Sequence, residues 1–204
     1  MDIMDLEYFP LLKDITNIMQ SQQFQAGNEN YRQGKVEGTN PLYNMVTNSK
    51  VSLVHQAIRT NPFGSDYFVW LDGGYGHGDA TLYPPDGVWN PEQLWMYPNK
   101  VSFVALYPLT PNNSELDNLH KVDTALIAGG LFAGGTAAME RYYNLHREVM
   151  QMYMQRGSID DDQTTFSDCY YKQPDNFRPV LGDWYDLLKP FRPTEKTKAG
   201  TAKG

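Results

Sequence analysis

Asp66-Tyr67-Phe68-Val69-Trp70-Leu71-Asp72-Gly73-Gly74-Tyr75-Gly76-His77-Gly78-Asp79 is the stretch that decides how this chain is read. Its apolar half, Tyr67 to Leu71, has the length and aromatic content of a buried strand. The strand runs directly into one acid, Asp72, and then into a loop too rich in glycine to hold regular structure. In open α/β sheets ligands sit beyond the carboxyl ends of the strands. A carboxylate there, followed by Gly73 and Gly74 that let a ligand approach the backbone, suits a Mg²⁺-like ion. Such ions take one or two carboxylates and leave their other positions to substrate phosphates and water. The competing reading is an aspartate that only opens a turn.

Outward from this stretch, 204 residues with 41% hydrophobic and 20% charged side chains describe a soluble globular chain of one domain. The expected domain covers 1–193, and 194–204, with no apolar anchor, is expected to be a disordered tail or linker. A net charge of −7 argues against a general nucleic-acid binder, which would show a basic face. The single cysteine, Cys169, excludes an intrachain disulfide and a cysteine-rich zinc site, and fits a reducing, cytoplasmic setting. The longest uncharged stretch, Thr124 to Met139, is too short and glycine-rich for a membrane span.

Periodicity predicts helices over Pro10–Gln22, Ser49–Arg59 and Thr136–Gln155, with Asn48 or Ser49 capping the second and Gly157 stopping the third. Gln25–Asn40 reads as an exposed polar loop, and Gly73–Pro98 as a long irregular excursion. Val101–Tyr107 and the short Ala125–Ala128 read as further strands. A last ordered element is placed near Trp184–Leu188.

Three segments are candidates to meet at one site: the Asp72 loop, the glycine-rich Ala128–Gly135 and the acidic Asp160–Asp162. Ala128–Gly135 reads as a turn between a short strand and a long helix, where free amides and the helix dipole favour anions. Close packing of helix on sheet is the alternative reason for its glycines. Asp160 followed by Gln163 resembles a capping box, which leaves Asp161 or Asp162 as a surplus carboxylate able to act as a general base. His77, near Asp79 in the glycine loop, is the histidine placed to assist as a ligand.

Taken in order, Asn48-Ser49-Lys50, Asn61-Pro62-Phe63, Asp66–Tyr75, Ala128–Gly135, Asp161-Asp162-Gln163 and Gly182-Asp183-Trp184 resemble the HtrL/YibB-like family, read as glycosyltransferases of GT-A type and similar to transferase domains encoded by large algal (chlorella) viruses. The resemblance implies an α/β fold with a central mixed sheet flanked by helices. It implies a nucleotide-sugar donor, most often a UDP-sugar, bound with Mn²⁺ or Mg²⁺, a glycan or glycoprotein acceptor, and viral glycosylation in the host cytoplasm if the source is viral. Asp72, in the place of an Asp-x-Asp motif and helped by Asp79 or His77, would hold the metal. Lys50, Asn48, Trp70, Gly73, Gly129 and Gly130 would contact the donor, with Trp70, Tyr75 or Trp89 stacking on a ring. Asp162, or Asp161, would deprotonate the acceptor in an inverting displacement. The chain departs from the pattern in having Gly74 for the second acid, no histidine ligand after Asp162 and no initial strand for the nucleotide base. Either its N-terminal unit has diverged or it is a fragment, and a transferase-like domain that only recognises carbohydrate is the alternative.

Overall fold

The computed structural model describes residues 2–76, 78–84, 86–109 and 125–192, and within them six α-helices precede the first strand. α1 (Leu12–Gln20) buries Ile15 and Met19. The Ser21 hydroxyl accepts from the Phe24 amide at 3.2 Å and opens α2 (Gln22–Gly27). Asn28 caps α3 (Glu29–Arg32) in the same way, and α4 (Val36–Thr39) follows. Asn40 then caps α5 (Pro41–Asn48), which leads almost without break into α6 (Lys50–Thr60). The polar segment 25–40, expected as a loop, is therefore built of short helices, two of them capped by side chains. Its packing rests on backbone contact that hydropathy does not register: a Cβ on Gly38 would lie 2.2 Å from the Tyr31 amide nitrogen. Neither Asn48 nor Ser49 caps α6; the Ser49 hydroxyl donates back to the Met45 carbonyl.

The remaining elements are β1 (Tyr67–Leu71), α7 (Glu92–Trp95), β2 (Val101–Ala105), β3 (Ile127–Gly135), α8 (Thr136–Arg156), α9 (Asp162–Lys172) and β4 (Phe177–Leu181). α7 and a single 3₁₀ turn, Ala80–Leu82, give the excursion after β1 more order than its glycines and prolines suggest. The four strands form one mixed sheet in the order β1-β3-β2-β4. β1 and β2 both run antiparallel to β3, and β4 runs parallel to β2, so β1, β2 and β4 share one direction. This is the expected α/β class with a mixed sheet. β1 has the predicted bounds but lies at an edge, with Val69 and Leu71 each 39% exposed, whereas all of β2 is buried.

The glycine-rich stretch is a correction. Ala128–Gly135 is not a turn; it belongs to the nine-residue strand β3. Its glycines serve close approach: a Cβ on Gly135 would lie 2.6 Å from the Pro98 carbonyl oxygen, and one on Gly134 would lie 3.0 Å from that of Lys100. α8 starts at the far end of β3, where Gly135 pairs with Tyr67, so its N-terminus faces away from Asp72.

One face of the sheet packs on α6, α8 and α9 through Phe103, Phe132, Tyr142, Phe166 and Phe177. Phe166 stands 4.7 Å from Phe103 and 4.8 Å from Tyr142, ring centre to ring centre, within the range in which aromatic pairs add to burial. The other face carries Val104, Leu131 and Ala133 against Leu94, Leu187 and Phe191. The N-terminal helices close a third cluster on α8 through Ile15, Met45 and Met150. This arrangement sets the start of α6 and the start of α9 beside the carboxyl ends of the strands.

Candidate functional site

Lys50 opens α6, and its ammonium is surrounded by oxygen. Its Nζ lies 3.0 Å from both carboxylate oxygens of Asp72, 2.8 Å from Asp162 Oδ2 and 3.3 Å from the Gly129 carbonyl. Asp72 follows β1, Gly129 lies in β3 and Asp162 is the first residue of α9, so elements far apart in sequence meet on one cation. Trp70 fixes Asp72 from behind: its indole N–H donates to Asp72 Oδ1 at 2.6 Å while its ring packs on Phe132. Trp70 thus positions Asp72 and does not itself line the cavity.

Irregular pairing in β3 makes room for this meeting. Phe103 and Ala105 lie two residues apart on β2, yet their partners Phe132 and Ile127 lie five apart on β3. Ala128–Leu131 therefore leaves the β2 ladder while Gly130 still accepts from the Asp72 amide at 2.9 Å. Such irregularities re-aim side chains next to sites. A side chain at this point would displace its neighbours, because a Cβ on Gly129 would sit 2.5 Å from Asp162 Oδ2 and one on Gly130 would sit 2.8 Å from Leu187 Cδ1. A cavity of about 390 Å³ opens over the group, lined among others by Tyr43, Lys50, Asp72, Gly130, Asp162 and Trp184. It lies where ligands bind in open α/β sheets, outside the carboxyl end of β1 and of the parallel β2 and β4.

The three acids at the start of α9 divide their work. Asp161 is the N-cap, with Oδ1 accepting from the Gln163 and Thr164 amides at 3.1 and 3.4 Å. Asp160 is buried, accepts from the Asp161 amide through Oδ1, and keeps Oδ2 unpartnered among the described residues. Asp162 alone of the three lines the cavity. Burial pushes the Asp161 carboxyl up to about 7, helped by Asp162 beside it. Burial also raises Asp162, and the Lys50 ammonium pulls it back only in part. Burial works against the Lys50 charge, but Asp162 and Asp72 outweigh it and hold the ammonium above the ordinary lysine range. Burial, then Asp161 and Asp162, raise Tyr43, so its phenol remains a hydrogen-bond donor towards the cavity.

Several expected site residues are placed elsewhere. Asn48 is fully buried and its amide is committed: Nδ2 donates to the Asn44 and Asp160 carbonyls, both at 2.8 Å, and Oδ1 accepts from the Thr165 hydroxyl at 2.7 Å. It is a clamp between α5 and α9, not a donor contact. Asn48→Ala is expected to destabilise the fold by about 2–3 kcal/mol by orphaning these buried groups; an unchanged denaturant midpoint would contradict the clamp. Asp161 is a cap and does not line the cavity. Asp79 is fully exposed and occupied with the Thr81 amide and hydroxyl at 2.9 and 2.6 Å, which hold its carboxyl below the usual range; it does not line the cavity. His77 and the tail 194–204 lie outside the described residues. Gly73, Gly129 and Gly130 line the cavity. Trp89 does not; it packs beneath the sheet with Leu94 and Phe191. Tyr75 lines it but turns its ring edge-on to Tyr83.

Tyr43, Gln163, Trp184 and Leu187 complete the wall and were not singled out as site residues. Tyr43 stands seven residues before Lys50, close to two helical turns, and that spacing was the one local signal available. Trp184 and Leu187 arrive on the segment after β4, which only the strand order brings to this end of the sheet.

The oxygen donors around Lys50 are of the hard kind that Mg²⁺ or Mn²⁺ accepts, and the ammonium already occupies the place of a cation among them. Asp72, with its side chain 38% exposed, is the carboxylate open to an ion in the cavity. Among the described residues no group of three or more His, Cys, Asp and Glu side chains is gathered to hold a metal, so an ion here would depend on Asp72 and on ligands brought by substrate. No described helix is long and apolar enough to cross a membrane.

Protein HtrL of Escherichia coli (strain K12) is 28% identical to this chain over 160 residues, which cover 74% of the chain and 54% of HtrL. The chain thus spans about half the length of that relative. No solved structure matches. A family described as "Bacterial protein of unknown function (HtrL_YibB)" matches residues 2–193, and with nearly the whole chain inside that match the protein belongs to the HtrL_YibB family.

Proposed function

We propose that this protein moves a sugar from a nucleoside diphosphate donor, by resemblance a UDP-sugar, to a hydroxyl of a glycan acceptor, on a GT-A-like sheet and with Mn²⁺ or Mg²⁺ at Asp72. The observation that supports this reading best is the pair of carboxylates, Asp72 and Asp162, brought from β1 and α9 to one cavity and separated by the Lys50 ammonium. One ammonium between two carboxylates leaves the group with a net negative charge. A diphosphate would be repelled there unless a further cation came with it. The divalent ion supplies charge neutralisation on the leaving diphosphate.

The chain's own groups supply the rest. Asp72, steadied by the Trp70 indole, is the carboxylate presented to the ion. Lys50, on a flexible stem, can turn from the carboxylates to a phosphate oxygen. The side-chain-free backbone at Gly129 and Gly130 lets a sugar lie against β3. Asp162, raised by burial yet held at a helix start, has the tuning of a general base towards an acceptor hydroxyl, and attack from its side of the sugar would invert the anomeric centre. One observation favours a second reading, a carbohydrate-recognition domain without transfer: the described residues 2–66 hold helices and no strand to seat a nucleotide base.

Calorimetric titration of UDP and UDP-glucose with Mn²⁺, and again with EDTA, separates the two. Binding is expected in Mn²⁺ and should weaken by at least about tenfold, 1.4 kcal/mol or more, in EDTA or in Asp72→Asn. A folded protein that binds neither ligand in either buffer would overturn the transferase reading, and glycan binding would then support the second.

A further inference from the structure

Among the described residues the Lys50 ammonium touches four oxygens: two of Asp72 at 3.0 Å, one of Asp162 at 2.8 Å and the Gly129 carbonyl at 3.3 Å. Its side chain is 13% exposed, so this contact replaces most of the water an ammonium would otherwise hold. The stem is anchored at the first residue of α6, and α6 is in turn tied through α5 and Asn48 to the loop before α9. The lysine therefore cannot drift far, but its four-carbon chain can swing its head group. Both carboxylates that could neutralise an ion in this cavity are already neutralised, in part, by a cation that belongs to the protein.

We propose that Lys50 is a tethered latch on the cation position: its ammonium keeps a divalent ion out until an anionic phosphate draws it away, so that ion and nucleoside diphosphate bind as a pair and neither binds tightly alone. This rests on the donor reading above. The coupling is reciprocal by linkage: whatever UDP does for the affinity of the ion, the ion does for that of UDP. It also predicts that deleting the ammonium unmasks the ion site without any nucleotide, whereas moving a permanent charge to the same place does not.

Mn²⁺ binding, followed by the spin-resonance signal of the free ion, tests this with and without UDP in wild type, Lys50→Met, Lys50→Arg and Lys50→Met combined with Asp72→Asn. Wild type and Lys50→Arg are expected to bind Mn²⁺ weakly without UDP, and wild type at least about tenfold more tightly with it, a coupling in the usual allosteric range. Lys50→Met is expected to bind Mn²⁺ at least about tenfold more tightly than wild type without UDP, to gain little more from UDP, and to lose the gain when Asp72 is also changed. Equal Mn²⁺ affinity in Lys50→Met and wild type, with UDP still promoting Mn²⁺ binding in both, would overturn the latch and leave the donor reading standing. Absence of Mn²⁺ binding in every variant, with and without UDP, would overturn both. Should Lys50→Met not fold in metal-free buffer, its recovery by Mn²⁺ in a thermal melt that leaves wild type unshifted supports the latch, and failure of Mn²⁺ to recover it counts against it.

Discussion

Replacing Asp162 by asparagine is expected to leave Mn²⁺-supported UDP-sugar binding within about threefold of wild type while slowing release of UDP from the donor by about 10²–10⁴. The size of the effect is that of removing a positioned general base. Binding should survive because Asp72, not Asp162, is the carboxylate open to an ion, with a side chain 38% exposed against 10% for Asp162. Asparagine keeps the shape that Gly129 makes room for, so a lost rate cannot be ascribed to a collapsed wall. Removing the charge also frees the ammonium from its shortest contact, 2.8 Å, which would favour phosphate binding if it changed it at all. Release of UDP to water or to any acceptor reads the step, so the acceptor need not be known. A variant that binds donor and turns over at the wild-type rate would remove Asp162 from the chemistry.

The second large effect is in stability against pH. Asp161 has its carboxyl raised to about 7 by burial and by Asp162. A carboxyl raised on folding stays protonated in the native state while the unfolded chain ionises, so the unfolded state binds fewer protons between about pH 4 and about pH 7. Stability from Asp161 is therefore present in acid and is lost as pH rises through that window. His146 has the opposite sign: burial lowers it to about 3, so its contribution is present near neutrality and is lost as pH falls below the ordinary histidine range. Asp161→Asn keeps the N-cap, because asparagine caps as well as aspartate, and removes one titration. Relative to wild type in EDTA, it is expected to gain stability from about pH 4 to about pH 7, by at most about 4 kcal/mol at 1.36 kcal/mol per pH unit of displacement. For a chain of this size that is on the order of 10 °C in Tm. A difference between the two melting curves that does not change with pH would show that Asp161 is ionised throughout.

The local reading of the chain succeeded wherever one element explains itself. β1 has the expected bounds, α6 is displaced by one residue, and α8 ends at Gly157 in the left-handed conformation that the glycine allows. Asp72 was legible as a site residue because strand, acid and glycines are adjacent in sequence. The short helices over 25–40 were not, since α2 and α3 are held by caps, α4 by backbone contact at Gly38, and none shows much apolar period. β4 was missed because Pro179 and Arg178 break the apolar run of a five-residue strand that, among the described residues, pairs only on β2.

Sequence by itself determined the α/β class, the strand that delivers Asp72, the helix starts that carry Lys50 and Asp162, and the family. Each of these follows from local periodicity, adjacent residue types or ordered motifs. Tertiary structure alone decided that Ala128–Gly135 is a strand, that Asp161 caps while Asp162 faces the cavity, that Asn48 is a clamp, and that Lys50 bridges both carboxylates. Those are outcomes of long-range contact: between Lys50, Asp72, Gly129 and Asp162 the chain has no local signal, and only the β1-β3-β2-β4 order and the irregularity in β3 bring them within hydrogen-bonding distance. Glycine admits both a turn and a close-packed strand, and an acid both a cap and a base, so the choice in each case falls to what the fold places beside it.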